Sequence, residues 1–118
     1  MNITDVQSIN FKASPITIYS TNFFMTEDEI ENFKKICFYT DPPKTRAKVS
    51  KNTNVLKHES LKDLNELFNK VSNHYSKEVL SLKNNFVMTS SWSTLCKKGD
   101  YHHLHNHPNI VFNLIYYV

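Results

Sequence analysis

The chain has 118 residues and a single glycine, where average usage of about 7% would supply roughly eight. That scarcity excludes phosphate loops of the G-x-G-x-x-G or G-x-x-x-x-G-K-[ST] type and the G-x-S-x-G nucleophile elbow, which need several backbone positions without a Cβ. The net charge of +3 comes from 13 Lys and one Arg spread along the chain, a poor endowment for nucleic-acid reading, which leans on arginine for bidentate contacts.

The length suits one domain over residues 1–118, with a core of modest size. Hydrophobic residues make up 40% of the chain and aromatics 13%, so bulk compensates for a thin apolar supply. No apolar stretch approaches the ~20 residues that span a bilayer, and the N-terminus lacks the basic and apolar regions of a signal peptide. A soluble, cytoplasmic protein is expected, with no sign of a membrane or nucleic-acid partner. Cys37 and Cys96 then read as reduced thiols acting as small buried hydrophobes, and C-x-x-C metal spacing is absent.

Taken in order, the first dozen residues are expected to be loose. Ile16-Thr17-Ile18-Tyr19-Ser20 alternates apolar and polar residues and predicts a short strand that Pro15 would start. Thr26-Glu27-Asp28-Glu29 is a capping box. The helix it opens should run to about Phe38, with Ile30, Phe33, Ile36 and Cys37 on one face. Residues 39–54, including Asp41-Pro42-Pro43-Lys44, have no sustained period and read as a loop.

Ser60, with Asp63 three residues on, predicts the start of a helix of about 20 residues. Leu61, Leu64, Leu67, Phe68, Val71, Tyr75 and Val79 form its apolar stripe. Asn84-Asn85 breaks that pattern. Residues 86–95 alternate as a strand with one partly polar face, Lys97-Lys98-Gly99-Asp100 is a turn, and 110–118 is an aliphatic and aromatic strand. The order implies an α+β fold with two helices packed on one face of an antiparallel sheet. Because the sequence stops inside an apolar strand, a fragment of a longer domain is expected.

Four of the six histidines fall within Tyr101-His102-His103-Leu104-His105-Asn106-His107-Pro108. In an extended chain, side chains two apart share a side, so His103, His105 and His107 could face together while His102 points away. Imidazoles at that spacing can reach one divalent ion at ~2.0–2.1 Å. The plainer alternative is a solvated histidine-rich loop. His58 and His74 read as surface residues, Trp92 as core rather than a substrate platform, and Asp100 as a turn residue rather than a ligand.

The run Ser91-Trp92, Lys98-Gly99-Asp100-Tyr101-His102-His103, His105-Asn106-His107-Pro108-Asn109 and Tyr116-Tyr117-Val118 resembles the 2-oxoglutarate/Fe(II) oxygenases common in marine bacteria and their phages. That family has a tryptophan strand, a K-G-x-Y turn, an H-x-H-P-N segment and a V-Y-Y-V strand. Ser14-Pro15-Ile16, residues 50–56 and Leu61-Lys62-Asp63-Leu64 extend the likeness more weakly, so that it covers nearly the whole chain. The resemblance implies a double-stranded β-helix, a cupin-like jelly roll, present here in part. It further implies Fe(II) as cofactor and 2-oxoglutarate as co-substrate, oxidatively decarboxylated to succinate while a substrate C–H is hydroxylated.

His105 and His107 stand where the superfamily has its proximal H-x-D pair, which makes them the metal-ligand candidates. Tyr101, His102, His103, Trp92 and Asn109 would lie behind the ligands or toward the substrate. Three departures accompany the likeness. His107 replaces the usual carboxylate, Asn113-Leu114 replaces a Ser-Gly pair, and the family's distal histidine and co-substrate anchor lie beyond Val118, leaving Arg46 as the one arginine. The expectation is an N-terminal portion of the domain, inactive by itself, with self-association through an unpaired C-terminal strand open to it. The competing readings are a non-catalytic module holding Zn, Ni or Cu through His102 to His107, and a protein without a site that acts through its helices.

Overall fold

Strand β1 (Ile3–Phe11) and strand β2 (Ser14–Thr21) pair antiparallel at the start of the chain. The computed structural model describes residues 2–11, 14–37, 39 and 46–118. The opening dozen residues, expected to be loose, are therefore largely a strand. Ile3, Thr4, Val6 and Ile9 suit a pleated strand, and β2 supplies a partner along nearly its full length.

Register puts Val6 opposite Tyr19, Ser8 opposite Thr17 and Ile9 opposite Ile16, with an irregularity between Ile3 and Asp5. Ser8 and Thr17 hydroxyls meet at 2.8 Å. Tyr19 and Thr17 share the half-buried face, whereas Ile9, Ile16 and Ile18 are each more than half exposed on the other. The Tyr19 hydroxyl lies 2.9 Å from His74 Nδ1, and the Tyr75 hydroxyl donates to the Pro15 carbonyl at 2.7 Å. These two bonds hold the hairpin to the second helix.

The capping box forms as its spacing requires. Thr26 N–H donates to Glu29 Oε2 at 2.7 Å, Glu29 N–H donates to Thr26 Oγ1 at 3.3 Å, and helix α1 runs Glu27–Cys37. Phe38 and residues 40–45, with the Asp41-Pro42-Pro43-Lys44 stretch read as loop, lie outside the described residues. Strand β3 (Lys48–Val49) falls where no element was expected and pairs antiparallel with strand β4 (Thr94–Leu95).

The second helix departs from its expected form at both ends. Two 3-10 turns, Val55–Lys57 and Glu59–Leu61, lead into α2 (Lys62–His74), and a π-helical turn, Tyr75–Val79, follows it. The first residue with a side-chain cap is not Ser60 but His58, whose Nδ1 accepts from Ser60 N–H at 3.3 Å and lies 2.8 Å from the Ser60 hydroxyl. At the far end the buried Ser76 hydroxyl donates to the Asn73 carbonyl at 3.1 Å, and Leu80 N–H reaches back to Tyr75. A serine that bonds a preceding carbonyl competes with the regular helix ladder, consistent with the widened turn.

The stripe itself holds. Leu61, Leu64 and Leu67 join Cys37, Val55 and Leu56 in the buried cluster, with Phe68 and Val71 packed against it. Tyr116 reaches the same cluster from the end of the chain, and its hydroxyl donates to the Phe23 carbonyl at 3.0 Å.

The two later strands are the main corrections. Within residues 86–95 only Thr94–Leu95 forms a ladder, although Ser91 bridges Asn54 and Ser50 N–H donates to the Ser93 carbonyl at 2.9 Å. Past Val49 the partner segment bends at Lys51 and Ser93 N–H donates to Ser50 Oγ at 3.0 Å, so the regular ladder ends there. Residues 110–118 form no ladder among the described residues, yet keep a strand-like alternation in which Phe112, Leu114 and Tyr116 turn inward. Phe112 packs on Tyr75 and Phe86, with centroids 5.1 and 5.7 Å away.

In place of one sheet carrying two helices, the described residues form a mixed α/β fold of two helices and two antiparallel two-stranded sheets. No helix among them is long and apolar enough to cross a membrane.

Candidate metal centre

The histidine segment is delivered by a tight turn. Asp100 N–H donates to the Lys97 carbonyl at 2.9 Å, and Lys97 N–H donates to Asp100 Oδ2 at 2.8 Å. Gly99 sits at φ +92° with open space where a Cβ would stand, so the backbone angle and not crowding calls for glycine. Asp100 is thus a turn residue, as read from its neighbours.

Past the turn, Tyr101 bridges Arg46 in parallel, and Ala47 N–H donates to the Tyr101 carbonyl at 3.4 Å. This places the chain's one arginine beside the start of the histidine run, a neighbourhood that their separation in sequence conceals.

The four imidazoles then divide. His105 and His107 meet edge to face, with centroids 4.8 Å apart and planes at 78°. His103, expected on the same side, turns its ring to Tyr101 at 5.3 Å. Its carbonyl stays with the pair, 2.7 Å from His105 Nδ1. His102 is exposed and has no ring contact among the described residues.

On the other side of His107 stands Trp92, 5.4 Å away and tilted 38°. At 43% exposure Trp92 is a wall of this site rather than core. His107 is accordingly half-buried, while the other three histidines are exposed. After it, Pro108 and Asn109 turn the chain, with Asn109 at φ +59°. Asparagine tolerates that left-handed conformation better than most residues, so Asn109 acts here through its backbone.

A carbonyl oxygen only accepts, so the His103 contact assigns a proton to His105 Nδ1, and in the neutral imidazole Nε2 is then the nitrogen with the lone pair. Metal-binding histidines are held in their tautomer by such a bond. Two imidazoles on one tetrahedral ion have centroids about 5 Å apart, given metal–nitrogen bonds of ~2.0–2.1 Å. The observed spacing matches.

Among the described residues, no group of three or more His, Cys, Asp or Glu side chains comes together to hold a metal. His105 and His107 therefore stand as a pair, with no third such side chain and no carboxylate of the described residues beside them. The sequence pattern had named these two histidines as candidates. It missed the nearness of Arg46 and the capping role of His58, for which only the His58-x-Ser60 spacing offers a local signal.

Compared with family models, curated proteins and solved structures, the chain finds no match in any of the three.

Proposed function

We propose that the chain carries the iron-binding segment of a 2-oxoglutarate/Fe(II)-dependent dioxygenase domain, a hydroxylase built on a double-stranded β-helix, with His105 and His107 as metal ligands. The observation that carries this reading is the His105–His107 pair at 4.8 Å, with His105 Nδ1 held by the His103 carbonyl. The H-x-H-P-N segment, the preceding K-G-x-Y turn and the tryptophan beside His107 agree with it. Iron would supply the site for oxygen and 2-oxoglutarate, and the two imidazoles would hold it. Trp92 would shield the His107 side from water, and the His103 carbonyl would orient the His105 ring so that Nε2 is the nitrogen presented to the metal.

These 118 residues are proposed to bind the metal without turning over, because two imidazoles leave a ligand set incomplete. The test is titration of the full chain with Fe(II) under anaerobic conditions, followed by measurement of succinate with 2-oxoglutarate and oxygen. Binding that disappears in His105→Ala and His107→Ala, without succinate, is the expected result. Absence of binding overturns the reading, and turnover that is lost in His105→Ala overturns the inactivity.

A second reading rests on the same pair. Imidazole suits zinc, nickel and copper as well as iron, so a non-catalytic divalent-metal module built on His102 to His107 is the alternative. Tight Zn(II) binding, with no effect of 2-oxoglutarate on the spectrum of the Fe(II) form, would favour it.

A further inference from the structure

We propose that the recess between α2 and residues 88–91 binds a small aliphatic monocarboxylate, its head on Lys57, Asn65 and Asn69 and its carbon body on Leu56 and Met88. The recess shares no residue with the histidine pair and does not depend on the metal reading.

Its volume is about 170 Å³, slightly above the 150 Å³ cavity that accepts benzene. That admits a ligand of roughly six non-hydrogen atoms. The lining is rich in donors. Asn65 and Asn69 stand one turn apart on α2, hence on one face, and Asn54 and Lys57 line the same recess. No Asp or Glu lines the recess.

The side-chain amides of Asn54, Asn65 and Asn69 make no hydrogen bond among the described residues, so each retains two N–H donors. Ser91 Oγ accepts from Leu56 N–H at 3.1 Å, which leaves its own proton to donate. One ammonium with no neighbouring carboxylate selects a single negative charge. The buried Leu56 and the pliable Met88 thioether offer an apolar wall that a carbon chain would cover and a bare phosphate would not.

Ser91 immediately precedes Trp92, the single tryptophan of the chain, so the recess has a built-in reporter. The test is a titration of the full chain with butyrate, followed by Trp92 fluorescence and by melting temperature. Saturable binding is expected, weakened about tenfold when the neutral isostere butyramide replaces butyrate, as loss of a charge-assisted hydrogen bond implies. Inorganic phosphate should bind more weakly than butyrate.

Lys57→Ala, at an exposed position, should weaken butyrate about tenfold. Asn69→Leu should abolish saturation, and His105→Ala should leave it unchanged, which separates this site from the metal pair. Circular dichroism of each variant shows whether the helices are retained. Equal affinity for butyrate and butyramide, tighter binding of phosphate, an undiminished response in both Lys57→Ala and Asn69→Leu, or no saturation at all would overturn the proposal.

Discussion

Trp92 and His107 lie with ring centroids 5.4 Å apart and planes tilted by 38°. The indole thus backs an imidazole whose other neighbour is His105, and any ion held between the two histidines comes close to the chain's one fluorophore. Ni(II) or Cu(II) should quench Trp92 fluorescence in a saturable manner, reversibly on adding EDTA. His105→Ala and His107→Ala should each remove the saturable phase. Quenching that survives in the double variant would place the ion elsewhere.

Bound metal also acts on stability. An ion that binds only the folded state at about a hundred times its Kd adds about 2.7 kcal/mol. Melting of the chain with Zn(II) should therefore shift upward in the unsubstituted protein and not in His105→Ala. An equal shift in both would show that zinc stabilises through another group.

The capping box of α1 gives an acid limb. Hydrogen bonds from the Thr26 backbone and then its side chain hold the Glu29 carboxyl below its ordinary value. A depressed folded pKa means a contribution present above the unfolded value, about 4.3, and lost as pH falls through the lower folded one. Glu29→Gln keeps the geometry of the box and should flatten this part of the urea midpoint between about pH 5 and pH 3. Thr26→Ala should cost about 1 kcal/mol at neutral pH.

An alkaline limb arises around Cys37. Burial pushes its thiol up, against smaller opposing effects from Tyr39 and Ser93, and burial likewise pushes up Tyr39, whose hydroxyl lies 2.6 Å from Ser93 Oγ. With folded values raised, the stabilisation is complete below the unfolded values, about 8.5 for the thiol and about 10 for the phenol. It is lost as pH rises through the folded ones. Chemical denaturation across this range should show the earlier loss disappear in Cys37→Ala and the later one persist.

Packing makes a sharper contrast. Leu67 is 5% exposed in the central cluster, whereas Leu104, within the histidine run, is 103% exposed. Leu67→Ala should cost about 2–5 kcal/mol and Leu104→Ala no more than about 0.5 kcal/mol. Tyr75→Phe, which removes the donor to Pro15, should cost about 1 kcal/mol. Denaturant midpoints of the three variants check the series.

What was legible in the sequence was local. Thr26 and Glu29 stand three residues apart and bond each other directly, so the start of α1 could be read from four letters. The same holds for Lys97 and Asp100 around Gly99, and for the leucine stripe of α2, where helical period alone puts Leu61, Leu64 and Leu67 together. The histidine spacing grouped His103, His105 and His107, of which the structure keeps only His105 and His107 in ring contact. Strand-like alternation was real at 91–95 and 112–116, but alternation records which side a residue faces and not whether a neighbour is there to pair with it.

Tertiary structure decided the rest, because it joins residues that no local window contains. Strand β1 exists because β2 lies beside it, and β4 stops at two residues because Ser93 N–H turns to the Ser50 side chain and the partner segment bends at Lys51. His58 became a cap through the two 3-10 turns around it. Arg46 came to Tyr101, and Trp92 to His107, by chain pairing and ring packing that their separations in sequence do not encode. The sequence by itself determined the capping box of α1 and the Gly99 turn, since each depends on bonds within a few residues. Only the fold decided that His103 lends the pair its carbonyl instead of its ring, since that depends on where Tyr101 is held.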